Sequence, residues 1–123
     1  MTIDFRTTLD LEAGSNNWAE TAFKRADVKR LESYTEVASG VISVAGVTEE
    51  TVSLGGVATG QVLYIETDGA IIIKVGNGGD QSLALAPSTG ELATLLLDGT
   101  TFTTLKFNNV AVTSVLVKWL ALG

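Results

Sequence analysis

The sequence predicts an all-β fold, an antiparallel β-sandwich of jelly-roll-like type that follows an N-terminal extended arm. The first observation is composition: 16 Thr, 13 Val and 6 Ile make 35 of the 123 residues β-branched. The stiff side chains of these residues suit a pleated sheet better than a helix. The second observation is that 13 Gly stand against one Pro, which supplies many turn positions.

Strand-like runs alternate with turn signals from residue 41 onward. The eight runs span 41–44, 51–54, 61–67, 70–75, 81–86, 91–97, 101–107 and 110–122. Four strong turn signals separate them, namely Gly55-Gly56, Asp68-Gly69, Asn77-Gly78-Gly79 and Asp98-Gly99. Such pairs are typical of tight hairpins. Evenly spaced short strands without helical spacers indicate a sandwich or barrel.

Charge divides the chain into two parts. Residues 1–40 hold 12 of the 22 charged side chains, and residues 41–123 hold the other 10. We therefore predict an N-terminal arm and connecting segment over 1–40 and a β-sandwich body over 41–123.

The start of the arm alternates strictly between apolar and polar residues. The apolar positions Ile3, Phe5, Leu9 and Leu11 predict a strand with one buried face, which can add to a sheet edge of a neighbour. We therefore expect residues 1–12 to serve assembly; the alternative is that they form the first strand of the chain's own sandwich.

The stretch 18–30 has two interpretations. Asn17 followed by Glu20 fits a capping box, which favours one short helix, whereas an extended strand is the competing interpretation. The same stretch carries the one basic cluster of the chain, Lys24, Arg25, Lys29 and Arg30. This cluster could bind an acidic partner surface, and the alternative is an ordinary solvated face.

Composition argues against several function classes. Eight Lys and Arg against 14 Asp and Glu give a net charge of −6, which disfavours nucleic acid and anionic membranes. The chain has no Cys and no His, so we expect no metal and no cofactor. No apolar run approaches the roughly 20 residues of a membrane helix, and the charged start suggests synthesis in a cytoplasm.

Catalytic candidates are weak. Glu66 and Asp68 share a strand face beside a turn, but a polar strand end explains them better than a glycosidase pair. Ser114 and Lys118 would lie about 13 Å apart on a strand, too far for a hydrogen bond. The segment 76–80 partly matches a calcium-binding glycine–aspartate repeat but occurs once, and a hairpin loop explains it. We therefore expect no enzymatic activity.

The last strand suggests a partner. Both of its faces are largely apolar over 110–122, and residues 71–73 are three consecutive Ile. A two-layer sandwich should carry polar side chains on its outer faces, so the arm or another subunit is expected to cover this surface. Trp119 in this strand is predicted to pack in a core or an interface.

The body resembles a family of virion proteins. The runs 62–69, 95–99 and 103–109, followed by the valine-rich last strand, resemble small β-sandwich virion proteins of tailed bacteriophages, of the decoration, cement, minor tail or collar type. The resemblance covers residues 41–123 and transfers no functional residues. It implies a non-enzymatic virion subunit, made in the host cytoplasm, that binds copies of itself and a major capsid or tail protein. The alternative is a glycan- or receptor-binding fibre or adhesin module.

Overall fold

The computed structural model describes residues 3–14 and 21–123, with side chains from residue 33 onward. Within that part the chain is all-β and contains no helix. The strands are β1 (Ile3–Gly14), β2 (Thr21–Tyr34), β3 (Val37–Val44), β4 (Thr48–Val52), β5 (Gly60–Thr67), β6 (Ile71–Gly76), β7 (Asp80–Leu85), β8 (Ala93–Phe102), β9 (Thr104–Asn109) and β10 (Val115–Leu122). Two compact units, 1–34 and 35–123, divide the chain.

The first unit is a two-stranded antiparallel hairpin. Strand β1 pairs with β2 from Ile3 opposite Tyr34 to Gly14 opposite Thr21. The short helix considered over 18–30 is therefore wrong from Thr21 onward, and the extended strand is right; residues 18–20 lie outside the described residues. A register shift between Leu9 and Leu11 interrupts the pairing. Such a shift breaks the two-residue alternation that marks a strand in sequence.

The second unit is an eight-stranded jelly roll, so the predicted β-sandwich is confirmed. One sheet has the order β3-β10-β5-β8 and the other β4-β9-β6-β7. In sequence order the first strand of the unit pairs with the last, the second with the seventh, the third with the sixth and the fourth with the fifth. This nested pairing is the double Greek key of a jelly roll. Residues 37–40, which we expected in the connecting segment, form the start of β3.

Two of the four predicted hairpin turns join strands of different sheets. Gly55-Gly56 lies in the connection from β4 to β5, and Asp68-Gly69 lies between β5 and β6. Asp98-Gly99 is inside β8, where residues 99–101 stand opposite Gln61 alone. Only the Asn77–Gly79 turn joins two paired strands within this unit. A turn signal marks a reversal of the chain, but the next strand's pairing partner is set by the whole sheet.

The core lies between the two sheets. Its largest fully buried side chains are Phe102, Phe107, Leu63, Ile65, Ile73 and Leu105. Trp119 is 9% exposed and joins this core, as predicted. Gly40 stands opposite it in register, and a β-carbon there would lie 3.1 Å from the Trp119 Nε1 atom. The indole therefore packs against the bare backbone of β3.

Asn109 connects the two sheets at one end of the sandwich. It is fully buried at the end of β9. Its amide nitrogen donates hydrogen bonds to the carbonyl oxygens of Val44 at 3.0 Å and Thr113 at 2.7 Å, and its Oδ1 accepts one from the Ala111 N–H at 3.0 Å. One buried side chain thus satisfies backbone groups of β3 and of the loop before β10.

Candidate functional site

The predicted apolar contact residues lie on β1, and the hairpin places each of them opposite a residue of β2. Ile3 stands opposite Tyr34, and Phe5 opposite Glu32. Leu9 stands opposite Val28, and Leu11 opposite Arg25. The arm therefore pairs its main chain with its own second strand along its length, whereas the sequence suggested a single strand free to join a neighbour.

The predicted basic residues lie on β2 in the same hairpin. Lys24 stands opposite Glu12, and Lys29 and Arg30 stand opposite Thr8 and Thr7. Arg25 stands opposite Leu11. The fold thus gathers the apolar and the basic candidate residues on one two-stranded element, a juxtaposition that the sequence did not predict.

The outer face of the β3-β10-β5-β8 sheet exposes several apolar side chains, and the sequence predicted only part of this surface. We call it the apolar face; it comprises Val37 and Val41 of β3, Leu116 and Leu120 of β10, Tyr64 of β5 and Leu96 of β8. Val41 is 62% exposed, and Leu116 and Leu96 are 42% and 39% exposed. The prediction named the last strand, whereas the alternation Val-Ser-Val-Ser at positions 37, 39, 41 and 43 is the signal that would have identified β3.

The outer face of the other sheet is polar and ion-paired. Lys74 of β6 and Lys106 of β9 stand opposite each other, so their ammonium groups would repel each other if neither had a partner. Lys74 pairs with Glu49 of β4, and Lys106 pairs with Asp80 of β7 at 3.2 Å. Each ammonium group thus reaches across the strand of the other lysine to a carboxylate on the strand beyond it, which keeps this surface hydrophilic.

A shallow depression of about 170 Å³ lies at one end of the apolar face. Its lining residues are Glu66, Asp68, Leu92, Leu116 and Lys118. Asp68 Oδ1 accepts a hydrogen bond from the Leu116 N–H at 2.8 Å, so this carboxylate holds the turn after β5 against β10. The arrangement agrees with the turn role that the sequence favoured for Asp68.

Glu66 also has a local partner. It accepts a hydrogen bond of 2.7 Å from the Tyr64 hydroxyl to its Oε1 atom. That hydrogen bond, together with burial and the negative charge of Glu66, raises the pKa of the Tyr64 phenol above its ordinary value. Both carboxylates that the sequence considered as a catalytic pair are thus engaged in contacts within the sheet.

A groove of about 350 Å³ opens between the edge strands β7 and β8. Its lining residues are Val75, Asn77, Gly79, Gln81, Leu83, Leu97, Thr100 and Thr101. The bulge in β8 shapes one wall, because Gly99 has a φ of 81° and the next two residues leave the regular ladder. The lining is uncharged and combines amide and hydroxyl groups with aliphatic side chains.

The segment 76–80 forms the turn of the β6–β7 hairpin. Gly78 has a φ of 83°, and the Asn77 N–H donates to the Gly79 carbonyl oxygen at 3.2 Å. The Asp80 carboxylate meets Lys106. Among the described residues, no group of three or more Asp, Glu, His or Cys could hold a metal ion. In the same part of the chain, no helix has the length and apolar character that crossing a membrane requires.

No family model, no curated protein and no solved structure matches this chain.

Proposed function

We propose that this chain is a non-enzymatic structural subunit of a phage-like virion, either a head decoration or cement protein or a tail or collar component. In this proposal it binds copies of itself and a major capsid or tail protein, and it is made in the host cytoplasm before it joins the particle. The observation that carries the proposal is the apolar face.

The apolar face supports assembly because it contributes nothing to the interior of the sandwich. A two-layer sandwich buries the inner face of each sheet, and its outer faces are normally polar. Here one outer face follows that rule and the other exposes Val41, Leu96 and Leu116. Exposed apolar side chains next to polar groups, here Lys118 and Glu66 on the same face, are typical of protein contact sites.

The jelly-roll fold supports both this role and its alternative. Jelly rolls of eight strands occur in viral capsid domains and also in lectins, so the strand order alone does not select a function. The hairpin of the first unit adds a second element suited to contact, since it carries the apolar residues of β1 and the basic residues of β2.

Fractionation of particles tests the proposal directly. Phage particles from cultures that produce the native chain would be purified on a density gradient and analysed by mass spectrometry. We expect the chain in the particle fraction, at a fixed ratio to a capsid or tail protein. Its absence from particles, with recovery in the unassembled fraction only, would contradict the proposal.

A pair of matched double variants tests the surface. Leu96→Glu with Leu116→Glu places two charges on the apolar face, and Thr51→Glu with Ser82→Glu places the same two charges on the polar face. We expect the first pair to abolish incorporation into particles and the second to leave it unchanged. Equal incorporation of both would show that the apolar face is not the contact surface.

The groove between β7 and β8 favours a second candidate function, a glycan- or receptor-binding module. Its lining of uncharged amide, hydroxyl and aliphatic groups suits a neutral saccharide, although it lacks the aromatic platform common in such sites. A glycan array would identify a ligand, and Gln81→Ala with Thr101→Ala should abolish its binding, whereas Thr94→Ala on the outer face should not. An array without any bound saccharide would exclude this candidate.

A further inference from the structure

We propose that two copies of this chain associate by antiparallel pairing of β3 with β3 of the second copy, which joins their β3-β10-β5-β8 sheets into one eight-stranded sheet. This inference deepens the proposed function, because it names the strand through which the chain binds itself. It rests on the exposed edge of β3, on the side chains that flank it and on the symmetry of its sequence.

The first argument is that β3 lies at the edge of its sheet. Among the strands that the structure describes, it pairs only with β10, in continuous register from Val37 opposite Leu122 to Val44 opposite Val115. Its other side therefore presents main-chain N–H and C=O groups in the arrangement that a further strand can meet.

The second argument is that β3 carries none of the features that usually block an edge. Charges, proline, bulges and short length prevent edge strands from pairing with other chains. Strand β4 has Glu49 and Glu50 within five residues, β8 has the bulge at 99–101, and β7 begins with Asp80. Strand β3 has eight residues, VASGVISV, without charge, proline or bulge.

The third argument concerns the outer side chains of β3. Val37 and Val41, which are 45% and 62% exposed, alternate with the exposed residues Ser39 and Ser43. They continue the apolar face up to the very edge of the sheet. Pairing there would bury valine side chains as well as satisfy main-chain groups.

The sequence of β3 is complementary to itself in the antiparallel register centred on Val41. Side chains on the outer face must meet outer side chains of the second copy, so residues of equal parity must stand opposite each other. The register that places Val41 opposite the second copy's Val41 also places Ser39 opposite its Ser43, and Gly40 opposite its Ile42. Apolar residues thus meet apolar ones, and hydroxyls meet hydroxyls.

Charge is compatible with this pairing although the chain carries a net charge of −6. No charged residue lies in β3, and the nearest charge on the outer face, Lys118 of β10, stands between Val41 and Glu66 in register. The two-fold arrangement therefore brings no like charges directly opposite each other. A charged partner, by contrast, would find no complementary group along this edge.

Cysteine cross-linking tests the register, because the chain contains no cysteine of its own. In the proposed register, Val41→Cys places two thiols directly opposite each other, within the range that a disulfide requires. We expect the full-length variant to form a covalent dimer rapidly under mild oxidation. Thr94→Cys, an exposed outer-face position on the opposite edge strand, should not.

Mixing two variants sharpens the test. The Ser39→Cys chain and the Ser43→Cys chain should each form little covalent homodimer, because Ser39 stands opposite Ser43 of the second copy in the proposed register. An equal mixture should give the heterodimer. A heterodimer yield no higher than the two homodimer yields would overturn the proposed register.

Charge at the dyad tests the interface without oxidation. Val41→Lys places two ammonium groups opposite each other across the two-fold axis, and we expect it to weaken the dimer at least about tenfold in sedimentation velocity. Thr94→Lys, which adds the same charge opposite Glu66, should leave the dimer intact. A wild-type chain that stays monomeric at every concentration overturns the pairing, whereas particle fractionation decides the proposed function separately.

Discussion

The two outer faces of the sandwich have opposite chemistry although the two sheets share one core. On the β4-β9-β6-β7 sheet, Lys74 and Lys106 each form an ion pair with a carboxylate two strands away. On the β3-β10-β5-β8 sheet, Val41, Leu96 and Leu116 are exposed on the same face as Lys118 and Glu66. A jelly roll requires only its inner faces to be apolar, so the fold itself does not account for the exposed apolar side chains of the second surface. Contact with another molecule is the physical explanation we propose.

The largest expected change in the free energy of unfolding distinguishes a core residue from a residue of the apolar face. Phe107 is fully buried between the sheets, and Phe107→Ala should lower the free energy of unfolding by about 3–5 kcal/mol through lost transfer energy and a cavity. Leu116→Ala on the apolar face should cost about 1 kcal/mol or less, because much of this side chain is already in water. Urea denaturation followed by circular dichroism measures both. Comparable losses would mean that the apolar face is part of the core.

A smaller loss is expected where one side chain holds the two sheets together. Asn109→Ala removes one buried and two partly buried hydrogen bonds and leaves the carbonyl oxygens of Val44 and Thr113 without this donor, so it should cost about 3 kcal/mol. Asn108→Ala is the matched control, since Asn108 is the neighbouring half-buried residue on the polar face. The same denaturation experiment compares them, and equal stability of the two variants would contradict the role of Asn109.

The polar face should contribute little to stability. A double-mutant cycle of Lys74→Ala and Glu49→Ala should give a coupling free energy of about 0.2–1 kcal/mol, because both side chains are partly solvated. High salt should reduce it further. A coupling that exceeds this range and resists salt would mean that the polar face is structurally essential, and the contrast between the faces would then be weaker than we describe.

The smallest expected effect concerns pH on the apolar face. The pKa of Tyr64 is raised in the folded chain, chiefly by its hydrogen bond to Glu66, so the neutral phenol is favoured by folding. This stabilisation is complete below the unfolded pKa of about 10 and is lost as the pH rises through the folded value. Glu66→Gln should bring the phenol pKa closer to its ordinary value. Ultraviolet titration measures the phenol pKa, and the Tyr64→Phe variant assigns the signal. Identical titration of Tyr64 in the wild-type and Glu66→Gln chains would contradict this account.

Sequence patterns predicted the β class and most strands of the sandwich, but not their partners. The run predicted over 61–67 became β5, and the run over 70–75 became β6, each within a residue of its bounds. The pairing of β3 with β10 joins residues at opposite ends of the unit. Main-chain hydrogen bonds carry no sequence information, so no local signal can specify such a pairing.

The candidate surfaces were predictable to a similar extent. The apolar second face of the last strand pointed to exposure around Leu116, which is 42% exposed. The exposure of Val41 and Leu96 was not predicted. Alternation within a strand indicates that one of its faces is buried, but it does not indicate which residues of neighbouring strands lie on the exposed face. The groove was not predicted, because it depends on the bulge at Gly99. In sequence, the Asp98-Gly99 pair predicts a hairpin turn instead of a bulge.

The sequence by itself determined the all-β class, through β-branched residues and glycine turns, and it determined that cysteine and histidine chemistry are absent. It also contained the alternation that makes β1 a strand. Only the tertiary structure decided that β1 pairs with β2, that the sandwich has jelly-roll order, and that one of its outer faces is apolar. The physical reason is that alternation specifies which residues share a face, whereas the choice of partner strand depends on the packing of all eight strands around one core.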